Sequence, residues 1–383
     1  MNAVPQAATP ALTAFAQALP KMELHCHLLG TVRKNTFIEL AGRAQAPLSI
    51  EEIEAFYTRG EKPVGVLRVL RALDQWLLRT PDDLHRITYE YLQDAAAHNV
   101  RYAEFFWNPT GTVQCSGMGY GQAQAAILAG AADARRDHGI HGRLVPAIDR
   151  EAPPMAAVQM VEWMLQHRHD DVPGIGIDYR ENDHPPELFA QAYALARSHG
   201  LKTTAHASEF GLPWHNLQTA LDLLQVDRVD HGYTVVDNPE LAARCAEQGI
   251  VFTVVPTNSY YLRTLPPERW ALDHPLRRMP GLGLDCFQRH PRLPQPGEAR
   301  VPQLVARRVR QTSPPAGTVE DLVQAVGGQR SAAARPLQHD EHRVGVRVSG
   351  SFLLQVGGHV GEEPARDRDQ ALVPTLAVGD EHP

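Results

Sequence analysis

The stretch LKTTAHASEFGLPWHNLQTALDLLQVDRVDHGY, residues 201–233, holds two short apolar runs that each end in a histidine. LKTTAHASE (201–209) and DRVDHG (227–232) read as strands, and the text between them carries apolar residues at helical spacing. A strand, a helix and a second strand in that order argue for a parallel pair with the helix packed outside it. In such a unit both strands end on the same face, so His206 and His231 open onto one surface, with Glu209 three residues beyond the first.

The same alternation runs outward from this unit in both directions. Apolar runs at 21–28, 100–109, 142–149, 174–179 and 250–258 bring the number of candidate strands to seven between Lys21 and Asn258. The segments between them are helical in pattern. TPDDLHRITYEYLQDAAAHN (80–99) opens on Thr80 as an N-cap, and PPELFAQAYALARSHG (185–200) begins with proline and ends with glycine. Seven or eight such repeats predict an α/β fold of the (β/α)8 TIM-barrel kind. A doubly wound open sheet is the alternative, but no glycine-rich phosphate loop follows the first run. Residues 29–80 are too long for one crossover, and PLSIEEIEAFYTRG (47–60) with VGVLRVLRALDQWLLRT (64–80) predicts extra helices after strand 1, capping one mouth.

The first run, KMELHCHL, contributes His25 and His27. Side chains two apart on a strand share a face, so both imidazoles project together and two neutral rings can hold Zn2+ or a similar divalent ion. An HxH pair taken alone also describes surface or hydrogen-bonded histidines. Joined by His206, Glu209 and His231, it becomes four histidines and a carboxylate converging from three strand ends.

Bulk properties narrow the partners. The chain has 383 residues, 37 basic and 44 acidic side chains and a formal charge of -7, which leaves no basic footprint for nucleic acid. No window approaches a membrane span, and the first twenty residues lack the charged start and unbroken apolar core of a secretory signal. Cys26, Cys115, Cys245 and Cys286 are far apart, as in a reducing compartment. A cytoplasmic protein is expected; oligomeric state is not legible.

With these residues in view, PKMELHCHLLGTVR resembles the opening of the adenosine deaminase family, metal-dependent aminohydrolases of TIM-barrel fold. AHASE, ALDLLQVDRVDHGY and VPTNS…HPLRRM follow in the family's order, and the resemblance spans residues 18–284. It implies one Zn2+ per chain held by His25, His27 and His206, with His231 orienting the attacking water and Glu209 protonating the ring nitrogen of a small-molecule purine, adenosine ahead of adenine or another aminopurine, as ammonia leaves. Zinc deaminases marked by HxE and PCxxC are a different solution, and neither pattern occurs here. Another amidohydrolase-type metal hydrolase, or a non-catalytic barrel protein, remains open, although no lysine lies in 141–200 for the lysine-dependent variants.

Three departures from the family pattern concern function. Leu29 stands where the family commonly has an acid that meets the sugar. Glu181, in GIDYREND, replaces a glycine that lets the backbone approach the base. The family's last strand ends in two aspartates, the first a zinc ligand; by spacing they should fall at 290–293, where this chain has His290, Pro291, Arg292 and Leu293. Composition changes at the same point. Residues 1–284 contain ten Ile, ten Tyr, eight Asn, seven Met, five Trp and four Lys, whereas residues 285–383 contain none of these and twelve Arg. Ile, Tyr, Asn and Lys use codons beginning AA, AT or TA, so their joint loss reads as GC-rich DNA out of frame close to Leu284. A natural low-complexity tail is the alternative. The expected organisation is an N-terminal extension (1–20), an incomplete barrel domain (21–284) whose last βα unit is missing or disrupted, and an anomalous, poorly ordered tail (285–383). Without the aspartate ligand, activity is expected to be impaired.

Overall fold

A computed structural model describes residues 14, 16–57, 70–209, 212–256 and 273–288, with the backbone of 345–348 and 352–355. Eight parallel strands form one sheet in strict sequence order: β1 (Lys21–His27), β2 (Val100–Trp107), β3 (His141–Asp149), β4 (Gly174–Asp178), β5 (Lys202–Ala207), β6 (Arg228–His231), β7 (Val251–Val254) and β8 (Asp285–Gln288). Sequential order is the (β/α)8 barrel arrangement and rules out the doubly wound alternative, whose strand order must reverse. Among the described residues the chain of paired strands runs from β1 to β8 with no β8–β1 ladder, so the sheet curls without closing.

The strands are apolar because both of their faces are covered. Leu24, Ala103, Phe105, Leu144, Ile177, Ala205, Val229 and Phe252 are buried, and helices separate successive strands along the chain. They include α1 (Lys34–Ala44), α2 (Ile50–Tyr57), α3 (Pro81–Ala97), α4 (Pro109–Ser116), α5 (Tyr120–His138), α6 (Pro154–Gln166), α7 (Ala190–Ser198), α8 (His215–Thr219) and α9 (Pro239–Gln248). Helix α3 starts where the sequence predicts: the Thr80 hydroxyl accepts from the Asp83 amide and the Asp83 carboxylate accepts from the Thr80 amide, a reciprocal capping box. Gly176 on β4 is needed for space, since a Cβ there would lie 2.6 Å from the Phe106 ring.

The region expected to cap one mouth contains α1, α2 and a π-helical turn, Leu73–Leu77; residues 58–69 lie outside the described residues. The Arg71 guanidinium stacks 3.8 Å above the Tyr179 ring and pairs with Asp149 and Glu151, which ties this segment to the ends of β3 and β4.

The sheet continues past the boundary expected at Leu284. Asp285–Gln288 pairs in parallel with Val251–Val254 and forms β8, because an open edge at β7 accepts any four-residue extended segment whose backbone can complete the ladder. Asp285 opens this strand opposite Val251, at the far end of the sheet from His231. Positions 290–293 and Asn258 lie outside the described residues. The described parts of the remaining chain, grouped apart from the barrel, include an antiparallel pair, Gly345–Val348 with Phe352–Gln355. Among the described residues no helix is long and apolar enough to cross a membrane.

Candidate metal centre

The histidines sit where β1, β5 and β6 end. His25 and His27 leave β1 on its inner face, and His206 leaves β5; all three are buried. Their Nε2 atoms converge: His25 to His206 is 2.9 Å, and His27 to His206 is 3.1 Å. His206 Nε2 thus stands between the two β1 imidazoles in a buried place, an arrangement able to offer nitrogen ligands to a cation. Two ligands about 2.0–2.1 Å from one ion lie roughly 3.0 Å apart when they subtend a right angle.

What orients the rings is the second nitrogen of each. His27 Nδ1 lies 2.9 Å from Asp178 Oδ2, and Asp178 is itself held by Asn108 Nδ2 at 2.5 Å. His206 Nδ1 lies 3.3 Å from Asp230 Oδ2, and His25 Nδ1 lies 3.0 Å from Thr253 Oγ1, which donates to Asp230 Oδ1 at 2.7 Å. Thr204 Oγ1 adds a further bond to Asp230 at 2.8 Å. A carboxylate or hydroxyl on Nδ1 leaves the Nε2 lone pair for a cation and fixes the ring plane. Burial pushes the Asp230 carboxyl pKa up, but the His206 hydrogen bond and the charges of His25, His206 and Arg228 outweigh it and hold the group well below the usual carboxylate range. The residues present therefore fit a divalent metal: three buried imidazoles whose far nitrogens face Asp178, Asp230 and Thr253.

Phe106 forms the floor, with ring centroids 5.6 Å from His25, 4.9 Å from His27 and 5.3 Å from His206. His231 completes the group, 4.6 Å from His25 and 4.9 Å from His206 between ring centroids. A metal-ligand grouping drawn on spacing alone unites His25, His206 and His231, whereas the shortest nitrogen contacts unite His25, His27 and His206. The rings of His25, His27 and His206 have Nδ1 turned to a carboxylate or to a carboxylate-bound threonine, while His231 Nδ1 meets the Tyr233 hydroxyl at 3.3 Å.

His231 Nε2 lies 3.4 Å from Glu209 Oε1, and both side chains are buried. Three successive strands hand over to their loops through non-glycine residues in the left-handed region: Tyr179 (φ 64), Ser208 (φ 58) and His231 (φ 66). Left-handed backbone at such residues costs of order 1–3 kcal/mol each and persists where the surroundings enforce it. It turns the chain sharply just past the sheet, which is how Glu209 comes back over the histidines.

The five residues singled out in the sequence, His25, His27, His206, Glu209 and His231, are thus brought together. Sequence reasoning gave no role to Asp178, Asp230, Thr253 or Phe106. A usable signal existed for one of them: the acid that ends the otherwise apolar strand GIGID, Asp178, is costly to bury unless something there is paired with it.

A parallel barrel sheet with buried histidines gathered at the carboxyl ends of its strands defines a metal-dependent hydrolase of the TIM-barrel class. The chain belongs to the adenosine deaminase family, whose description, "Adenosine deaminase", matches residues 20–284. An adenine deaminase from Cupriavidus necator is 35% identical over 277 residues, which cover 72% of this chain and 77% of that protein. A crystal structure of an amidohydrolase from Burkholderia ambifaria with bound Zn is 67% identical, covers 75% of this chain and 79% of that one, and superposes with a TM-score of 0.73. The structure of adenine deaminase from Arthrobacter aurescens is 29% identical, with coverage of 71% and 81% and a TM-score of 0.64. The protein is accordingly a hydrolase acting on carbon–nitrogen bonds of cyclic amidines.

Proposed function

We propose that this chain is built for hydrolytic deamination of a free 6-aminopurine base, adenine first, with one zinc ion held by His25, His27 and His206. The observation that carries the reading is the approach of His206 Nε2 to His25 Nε2 and His27 Nε2, at 2.9 and 3.1 Å, beside a buried Glu209–His231 pair. Adenine is favoured over adenosine for two reasons. The curated relatives in view are adenine deaminases, and Leu29, buried and apolar, offers nothing to a sugar hydroxyl.

Bound at the three imidazoles, zinc would supply Lewis acidity toward water, bringing its ionisation near neutral pH. The protein's own residues do the rest. Glu209, protonated, donates from its carboxyl to the ring nitrogen beside the amino-bearing carbon, which makes that carbon electrophilic. His231 Nε2, beside Glu209 Oε1, orients the attacking water and takes part in relaying its proton. Water adds to the carbon; one of its protons, relayed by His231, leaves with the amino group as ammonia, and the other returns to Glu209 as the carbonyl forms. Enclosure by Phe106 and the strand ends keeps bulk water out.

The family's aspartate ligand falls at positions 290–293, where the chain carries His, Pro, Arg and Leu. The same proposal therefore includes impaired turnover by this chain, with residues 285–383 a shifted reading frame and residues 21–284 the deaminase domain. The test compares the chain as given with one whose downstream frame restores an Asp-Asp strand end. Ammonia release from adenine by the restored chain, well above that of the given chain and above that from adenosine, is the expected result. Equal turnover by both chains would remove the impairment, and preference for adenosine would remove the free-base reading.

A further inference from the structure

Glu181 entered the sequence reading as an obstacle, a bulky acid in place of glycine. In the structure it grips the loop that follows β5. Its Oε1 accepts from the Ser208 amide at 2.9 Å and from Asn216 Nδ2 at 2.9 Å, and its Oε2 accepts from the Glu209 amide at 3.2 Å. Arg150, fully buried just past β3, stands behind it, with Nη1 3.8 Å from Glu181 Oε1. The same guanidinium donates through Nη2 to the carbonyl of His206.

One buried ion pair thus holds the peptide chain between His206 and Glu209 from both sides. Arg150 takes the carbonyl at the start of the turn and Glu181 takes the two amides at its end. The turn between them contains Ser208 at φ 58, a conformation that needs enforcing. We propose that Glu181, backed by Arg150, is a positioning residue that fixes the backbone of Glu209 and so aims its carboxyl at His231. This inference rests on the assignment of Glu209 as the acid, but its first readout does not.

Glu181→Gln gives a directional test in the full chain. The glutamine carbonyl keeps the Oε1 position, where two donors converge, so its NH2 group faces the Glu209 amide, donor against donor. Amide hydrogen exchange, followed by site-resolved mass spectrometry or NMR, is expected to quicken roughly tenfold or more at Glu209, with Ser208 and the amides of β1 and β6 unchanged. Glu181→Ala should release both Ser208 and Glu209, and Glu181→Asp should restore part of the protection. Unchanged exchange at Glu209 in Glu181→Gln overturns the proposal, as does an equal rise across the whole sheet. In the frame-restored chain, Glu181→Gln is expected to lower kcat roughly tenfold at unchanged KM; a rise in KM at unchanged kcat would make Glu181 a substrate contact and overturn the clamp. Glu209→Gln assayed beside it separates the two ideas. Parent-like turnover there would remove the acid assignment, while the exchange data would still decide the clamp.

Discussion

His25 Nε2 and His206 Nε2 lie 2.9 Å apart although 181 residues separate them in the chain. Two buried imidazoles at that distance either share a proton or share a cation, and the nearby Nε2 of His27 excludes a single shared proton as the answer for all three. His206→Ala is expected to lower the affinity of the chain for zinc by more than about 100-fold, beyond the loss typical of an outer partner. Competition against a chromogenic chelator checks this, and the same assay on Cys245→Ala, remote and buried on α9, serves as control.

Asp230 faces two of the proposed ligands at once, His206 directly and His25 through Thr253. Asp230→Asn keeps the shape and removes the charge. Metal affinity should fall about 10- to 100-fold, and for Asp178→Asn, which faces His27 alone among the three histidines, it should fall less. Parent-like affinity for both variants in the chelator competition would contradict the orienting role of the carboxylates.

Phe106 packs beneath three imidazoles and against the Cα of Gly176. Phe106→Ala is expected to cost about 3–5 kcal/mol of stability through the cavity it leaves. Phe106→Leu should cost less. Urea denaturation of the metal-free chain measures both, and a loss below about 1 kcal/mol for alanine would mean that the floor collapses to fill the space.

Asp74, on the segment over the barrel mouth, is buried, and burial lifts its carboxyl from 3.8 to about 7 against the opposing pull of the Thr112 hydroxyl and Arg71. The folded chain therefore keeps a proton that the unfolded chain has already released between pH 4 and pH 7. Stability from this group is full below the unfolded value and is lost as pH rises through the folded one. Asp74→Asn removes that dependence, so its stability relative to the parent should rise between pH 5 and pH 8 in denaturant titrations. A constant difference between the two chains would show that Asp74 ionises normally.

The barrel was legible in the sequence because a parallel strand buried on both faces must be apolar along its length, and its period contrasts with the helices between. The seven runs and the four histidines at their ends follow from that local rule. The eighth strand was less legible: Asp285, Cys286, Phe287 and Gln288 carry no strong strand pattern, and it is the open edge of β7 that pairs them.

By itself, then, the sequence determined the repeating strand and helix units and which side chains stand at the strand ends, since both are set by neighbours a few residues apart. Only the tertiary structure decided how those side chains are aimed. The partner of each Nδ1 comes from another strand: Asp178 on β4 for His27, Thr253 on β7 for His25 and Asp230 on β6 for His206. The same holds for Glu181, an apparent obstacle in the sequence that the fold turns onto the amides of Ser208 and Glu209. A buried polar atom takes whichever donor or acceptor the register of distant strands delivers to it, because leaving it unpaired costs more than any local preference can return.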